Sequence, residues 1–166
     1  MIKYASVTVG AMLLAACANY ASTETAAGDE NQSHLHIGHV LTSWNDTPEQ
    51  RGLLPTAMAE AEIAAQHAGF AMQQLDNLDW LKLHTGHVLH AVDPSVEAQG
   101  PGLGYGVRQA AAGTEKHVGF AADSDDASDN VKLHASHVGT SSRNVDGWID
   151  QIVDLGNQIQ AASSAS

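Results

Sequence analysis

Residues 67 to 88 read HAGFAMQQLDNLDWLKLHTGHV, and residues 117 to 138 read HVGFAADSDDASDNVKLHASHV. The two stretches align without a gap at an offset of 50. They share His-x-Gly-Phe-Ala at the start, two aspartates in the middle and Lys-Leu-His-x-x-His-Val at the end. A partial third copy, LHIGHV, occupies residues 35 to 40. The pair H-x-x-H-V therefore occurs three times, at His36/His39, His84/His87 and His134/His137. A single histidine, His67 or His117, precedes each of the last two pairs by 17 positions. Self-similarity at a fixed period is the mark of a chain built from repeated supersecondary units.

Each full copy reads as a helical hairpin. Neither shows the sustained alternation of β-branched residues that strands require. Asp76 with Asp79, and Asp126 with Asp129, match a helix N-cap followed by an acidic third residue. Working outward, six helical segments are expected. They run over about 33–43, from Pro55 to about 74, from 76 to before Asp93-Pro94, over about 105–122, from about 126, and over about 144–161. Pro55 suits a first helical turn. Val145, Trp148, Ile152, Leu155 and Ile159 form an amphipathic stripe on the last segment. The fold class is all-α, an antiparallel bundle of about five to six helices built on a repeat of about 50 residues. Two longer loops, 44–54 and 92–103, separate the hairpins. The glycine-rich GPGLGYG (100–106) follows no strand and matches no phosphate-loop spacing, so it reads as a turn and a helix start.

Placed on these helices, the repeated histidines fall level with one another. His67 and His84 are each about eight residues from the turn between them, roughly 12 Å along the axis. His117 and His134 repeat this geometry across the next turn. If successive helices run up and down, all eight histidines (His36, His39, His67, His84, His87, His117, His134 and His137) share one inward layer. Residues i and i+3 lie on one helix face, so each pair can offer two imidazoles to one centre. Burying so many imidazoles unpartnered would cost several kcal/mol, and coordination is the favoured remedy. Acids are scarce on these faces. Glu60, seven residues before His67, would orient a ligand or act as one at a single site. Gly38, Gly69, Gly86, Gly113 and Gly119 leave space beside the histidines. His34 and His90 stand outside the pattern, His34 at a solvent-exposed start and His90 at the rim.

Imidazole-rich, carboxylate-poor sites suit Cu, Zn, Ni or haem iron rather than Ca, Mg or Mn. Two readings follow: a layer holding transition-metal ions for buffering, storage or delivery, or bis-His ligation of haem b for electron transfer. A partner protein would receive the metal or the electron. A pH-responsive structural protein is a third class. No nucleophile–base motif and no H-E-x-x-H is present, so catalytic residues are not assigned and an enzyme is the less supported reading. An unpaired helix with an exposed histidine face would complete its site in a homodimer.

The amino terminus places the protein. Lys3 and the apolar run from Ala5 to Ala16 read as a signal peptide, too short to span a bilayer. The ending Leu14-Ala15-Ala16-Cys17 resembles the lipobox of bacterial lipoproteins. That resemblance implies cleavage after residue 16, lipidation of Cys17 and anchoring to an envelope membrane; Ala18 resembles the outer-membrane signal, facing the periplasm. Cys17 is the only cysteine, so an internal disulfide, thiolate zinc and covalent c-type haem are excluded. Residues 17–32 read as a polar tether, 33–161 as the helical bundle and 162–166 as a polar tail. The formal net charge is −12 with only seven Lys and Arg, which argues against nucleic-acid binding and favours cations. The run EAEIAAQHAGFAMQQLDNLDWLKLHTGHVLHA (60–91) resembles the small, Ala-rich, histidine-rich metal-binding helical bundles of the bacterial periplasm. That resemblance implies copper or another divalent ion. The chain departs from it in lacking Glu beside most histidines and in its long loops.

Overall fold

A computed structural model describes residues 31–165, and every regular element among them is helical. The elements are α1 (Gln32–Leu41), a 3₁₀ turn (Pro48–Gln50), α2 (Leu53–Ala71), α3 (Leu78–Val92), α4 (Val107–Asp123) and α5 (Asp129–Ala161). No described helix is long and apolar enough to cross a membrane. The signal segment, Cys17 and the tether up to residue 30 lie outside the described residues.

The helices begin where side chains can cap them, but one or two positions beyond where the aspartates suggested. Asn77, not Asp76, accepts from the Trp80 N–H (3.1 Å), and Ser128, not Asp126, caps α5 through the Val131 N–H (3.2 Å). Asp126 is used across the fold instead. Its Oδ1 accepts from the Ser33 N–H (3.0 Å) and ties the start of α1 to the turn between α4 and α5.

The fifth and sixth expected segments are one helix of 33 residues. The polar run Gly139-Thr-Ser-Ser-Arg lies where the two were expected to part. No proline interrupts it, and Thr140 and Ser141 donate their hydroxyls to the carbonyls of Ser136 and His137 four residues back. Polar side chains satisfied in this way remain helical.

Helices α2, α3, α5 and α4 form a ring of neighbours, and α1 packs outside it against α4. The largest core cluster joins Ala64, Ala91, Val92, Val107 and Ile149 at the centre of that ring. A second, smaller cluster of Leu53, Tyr105 and Ala110 sits between α2 and α4. Small residues set the spacing. A Cβ on Gly156 would stand 2.6 Å from Leu89 Cδ2, so α5 touches α3 there only because no side chain intervenes.

The same logic holds α1 in place. A Cβ on Gly52 would stand 2.5 Å from the Leu41 carbonyl carbon, because the end of α1 runs directly over the start of α2. Backbone cannot retreat as a flexible side chain can. Gly52→Ala should therefore destabilise the protein by roughly 2 kcal/mol and displace α1. Thermal melts check the stability, and an unchanged midpoint would contradict the packing.

An ion cluster closes one end. Arg108 on α4 pairs with Asp93 after α3 (2.8 Å) and with Asp146 and Asp150 (2.8 Å) on α5. One guanidinium thus joins three segments, in a geometry suited to its forked donors.

Candidate metal centres

Six of the eight repeated histidines converge in two groups of three. Both pairings follow from which helices are neighbours. Within the α2–α3 hairpin, His67 meets His84 and His87, as the distance from the turn predicted. Its Nδ1 lies 2.9 Å from Nδ1 of His84 and 3.1 Å from Nδ1 of His87. In the second group His117 of α4 meets His36 and His39 of α1, with Nδ1–Nδ1 distances of 3.1 and 3.3 Å. In each group the three ligand atoms all lie within 4.8 Å of one another.

The single layer of eight is therefore not what the fold forms. His117 turns to α1 rather than to His134 across its own hairpin. His134 and His137 are exposed on α5, and neither belongs to a three-histidine group. The reason is topological: three pairs compete for two single histidines, and α1, docked on α4, takes the second. Glu60 is not near the ligands as an acid partner either. Its fully buried carboxylate accepts from the backbone N–H groups of Leu103 (3.1 Å), Tyr105 (2.9 Å) and Gly106 (2.9 Å). It fastens the glycine-rich loop. His90 is buried, with Nδ1 2.9 Å from the Glu97 carbonyl, where it can donate, and its ring lies against Gly100. It secures a loop rather than the rim of a site. His34 is exposed, as expected.

The two groups have matching walls. His67 and His84 each contact Phe70 at 5.3 Å between ring centroids, and Trp80 packs on His84 at 4.2 Å. His36 and His117 contact Phe120 (5.2 and 5.7 Å), and Trp44 packs on His39 and His117 (4.7 and 4.5 Å). Trp80 is fixed by donating its indole N–H to the Phe70 carbonyl (2.6 Å), which also locks the end of α2 onto α3. Sequence reading did not assign these tryptophans to the sites. The signal was available for Trp80, four residues before His84 and so on its helical face.

Protein hydrogen bonds alone cannot satisfy either group. A neutral imidazole carries one N–H and one in-plane lone pair. If the Nδ1 of His67 donates, it can serve one neighbour; if it accepts, one lone pair must serve two donors. The Nδ1 of His117 faces the same conflict between His36 and His39. A cation that takes all three lone pairs removes it. Three nitrogens at about 2.0–2.1 Å around a tetrahedral ion stand roughly 3.3–3.4 Å apart, close to the 2.9–3.3 Å that separates His67 and His117 from their two partners; the remaining pair in each group lies within 4.8 Å. In addition, His84 Nε2 is buried with no hydrogen-bond partner among the described residues. No carboxylate joins either group, so the donor set is nitrogen only.

For four of these histidines the surroundings favour the neutral ring, the form that ligates. Burial, with the neighbouring histidines adding to it, lowers the proton affinity of His39, His67 and His87 below the usual value of 6.5. His117 is pushed down to about 4, by burial first and then by His39 and His36. The unfolded chain therefore binds protons more readily than the fold. Stability of the metal-free protein is full above pH 6.5 and falls as pH drops from there towards 4, where His117 also charges. His117 alone accounts for a loss on the order of 2–3 kcal/mol. Urea melts of metal-free protein at pH 7.5 and pH 4 measure it, and equal midpoints would refute it.

Compared with known protein families, curated proteins and solved structures, the chain matches none significantly, and donor geometry alone defines these centres.

Proposed function

We propose that the protein binds two transition-metal ions of the Cu, Zn or Ni class, one in each three-histidine group, and buffers, stores or delivers them in the bacterial envelope. The observation that carries this reading is that Nδ1 of His67 and of His117 each stands 2.9–3.3 Å from the Nδ1 atoms of two other histidines, contacts that one ring nitrogen cannot both satisfy as hydrogen bonds. Three neutral nitrogens suit a borderline ion and leave a fourth position for water, a thiol or a ligand from a receiving protein. An exchangeable fourth ligand fits delivery better than permanent structural use. The Leu-Ala-Ala-Cys ending at Cys17 supports an outer-membrane lipid anchor, and the charge of −12 concentrates cations near the surface.

Bis-His haem is the second reading, favoured by the open space around Gly38, Gly69 and Gly119. It fits the donor spacing less well. Two axial nitrogens at roughly 2 Å on opposite sides of an iron stand about 4 Å apart with a macrocycle between them. Here the three imidazole rings of each group stand 4.6–5.6 Å apart between centroids, closer than two rings can approach across a macrocycle.

Elemental analysis and a visible spectrum of the protein purified from its native envelope test both. About two ions of copper, zinc or nickel per chain is the expected result. A Soret band that shifts on reduction would replace the ion reading with haem, and metal-free protein that binds none of these ions would end it.

A further inference from the structure

We propose that His134 and His137 form half of a four-histidine metal site that a second copy of the chain completes. The inference rests on the metal-binding reading above and extends it to the assembly. Among the three H-x-x-H pairs, two acquire a third imidazole within the chain and this one does not. Its rings are 5.8 Å apart between centroids on adjacent turns of α5, and both face outward. Two imidazoles hold an ion weakly and leave two tetrahedral positions open. A two-fold axis through the pair fills both positions with the same residues of the partner, because an isologous contact sets each patch against itself.

The surface around the pair favours such a contact. His137, Trp148 and Leu155 lie 11 and 18 residues apart, which places all three within about 20° on one face of α5. On the amphipathic stripe expected there, Val145 packs against the core while Trp148 is 60% and Leu155 59% exposed. The stripe forms one bank of an open apolar groove of about 1010 Å³, and α2 forms the other bank with Met58 and Met72, 57% and 72% exposed. His137 lines that groove, while His134 lines a smaller one of about 320 Å³ on its other side. The α5 bank, from His137 to Ile159, is roughly 33 Å long. An open apolar groove of this kind is a common place for one protein to contact another. Two chains each carrying a charge of −12 repel, and a shared cation at their junction offsets part of that.

Sedimentation velocity of the full chain in detergent, titrated with zinc and paired with zinc analysis, tests the proposal. The expected result is a monomer without metal that becomes a dimer with it, binding about 2.5 zinc ions per chain. The double variant His134→Ala/His137→Ala should stay monomeric and bind about two. Trp148→Glu keeps every ligand and should raise the protein concentration needed for the dimer. Wild type that remains monomeric with two zinc ions overturns the shared site and leaves the three-histidine groups standing. A dimer that forms without zinc, or equally well in the double variant, also overturns it. A chain that binds no zinc overturns the shared zinc site, and the three-histidine groups fall with it only if copper and nickel are not bound either.

Discussion

Replacing His117 by alanine is expected to reduce the metal carried by the monomer from about two ions to about one, with affinity at the α1–α4 centre falling at least 100-fold. His117 is the single imidazole from α4, and both α1 histidines reach their common point only through it. His67→Ala should do the same to the α2–α3 centre, and the double variant should bind almost nothing. Circular dichroism separates loss of ligand from loss of fold. The metal-free variant should stay helical, since removing one ring also removes the conflict among three Nδ1 atoms. Each occupied centre stabilises the fold by about 2.7 kcal/mol when free metal is at 100 times its dissociation constant. The metal-induced rise in melting temperature should therefore shrink in each single variant and vanish in the double one. Two ions retained by His117→Ala would show that α1 and α4 do not form a centre.

The second large effect is expected at Glu60. Its carboxylate is completely buried and accepts three backbone N–H groups from the loop that leads into α4. Glu60→Ala would strand those donors, and a buried donor without a partner costs about 1–3 kcal/mol. A total loss of roughly 3–5 kcal/mol is expected, a large share of the stability of a domain this size. Glu60→Gln keeps one acceptor oxygen but turns an amide towards the donors, so it should lose roughly half as much. Urea denaturation measures both. A loss below about 1 kcal/mol in Glu60→Ala would mean that the loop is held by something else. Folded Glu60→Gln should still bind two ions, because the carboxylate touches neither histidine group.

The helical class and the identity of the ligand candidates could be read from the periodic H-x-x-H pattern. His67 with His84 and His87 could be paired too, because a short turn forces level residues together. The pairing of His117 could not. It depends on α1 docking against α4, on the 11-residue connection from α1 to α2, and on the close passage of Gly52 beneath Leu41, which no local signal encodes. The exposed stripe of α5 misled for a related reason. Its apolar spacing is that of a core helix, but spacing says nothing about whether a neighbour arrives to cover it. Glu60 was read as the main acid near the histidines, orienting a ligand or acting as one, and it does neither. Its partners are backbone amides more than 40 positions away, and those carry no sequence signature.

The aromatic walls give the protein an optical readout of its own. Trp44 sits within 4.7 Å of two rings in one centre and Trp80 within 4.2 Å of one ring in the other, while Trp148 lines the α2–α5 groove and belongs to neither. These are the chain's three tryptophans. A paramagnetic ion such as Cu(II) in either centre would darken the indole beside it. Trp44→Phe and Trp80→Phe would then report the filling of each centre separately, and the emission colour of Trp148 would follow whatever covers the groove.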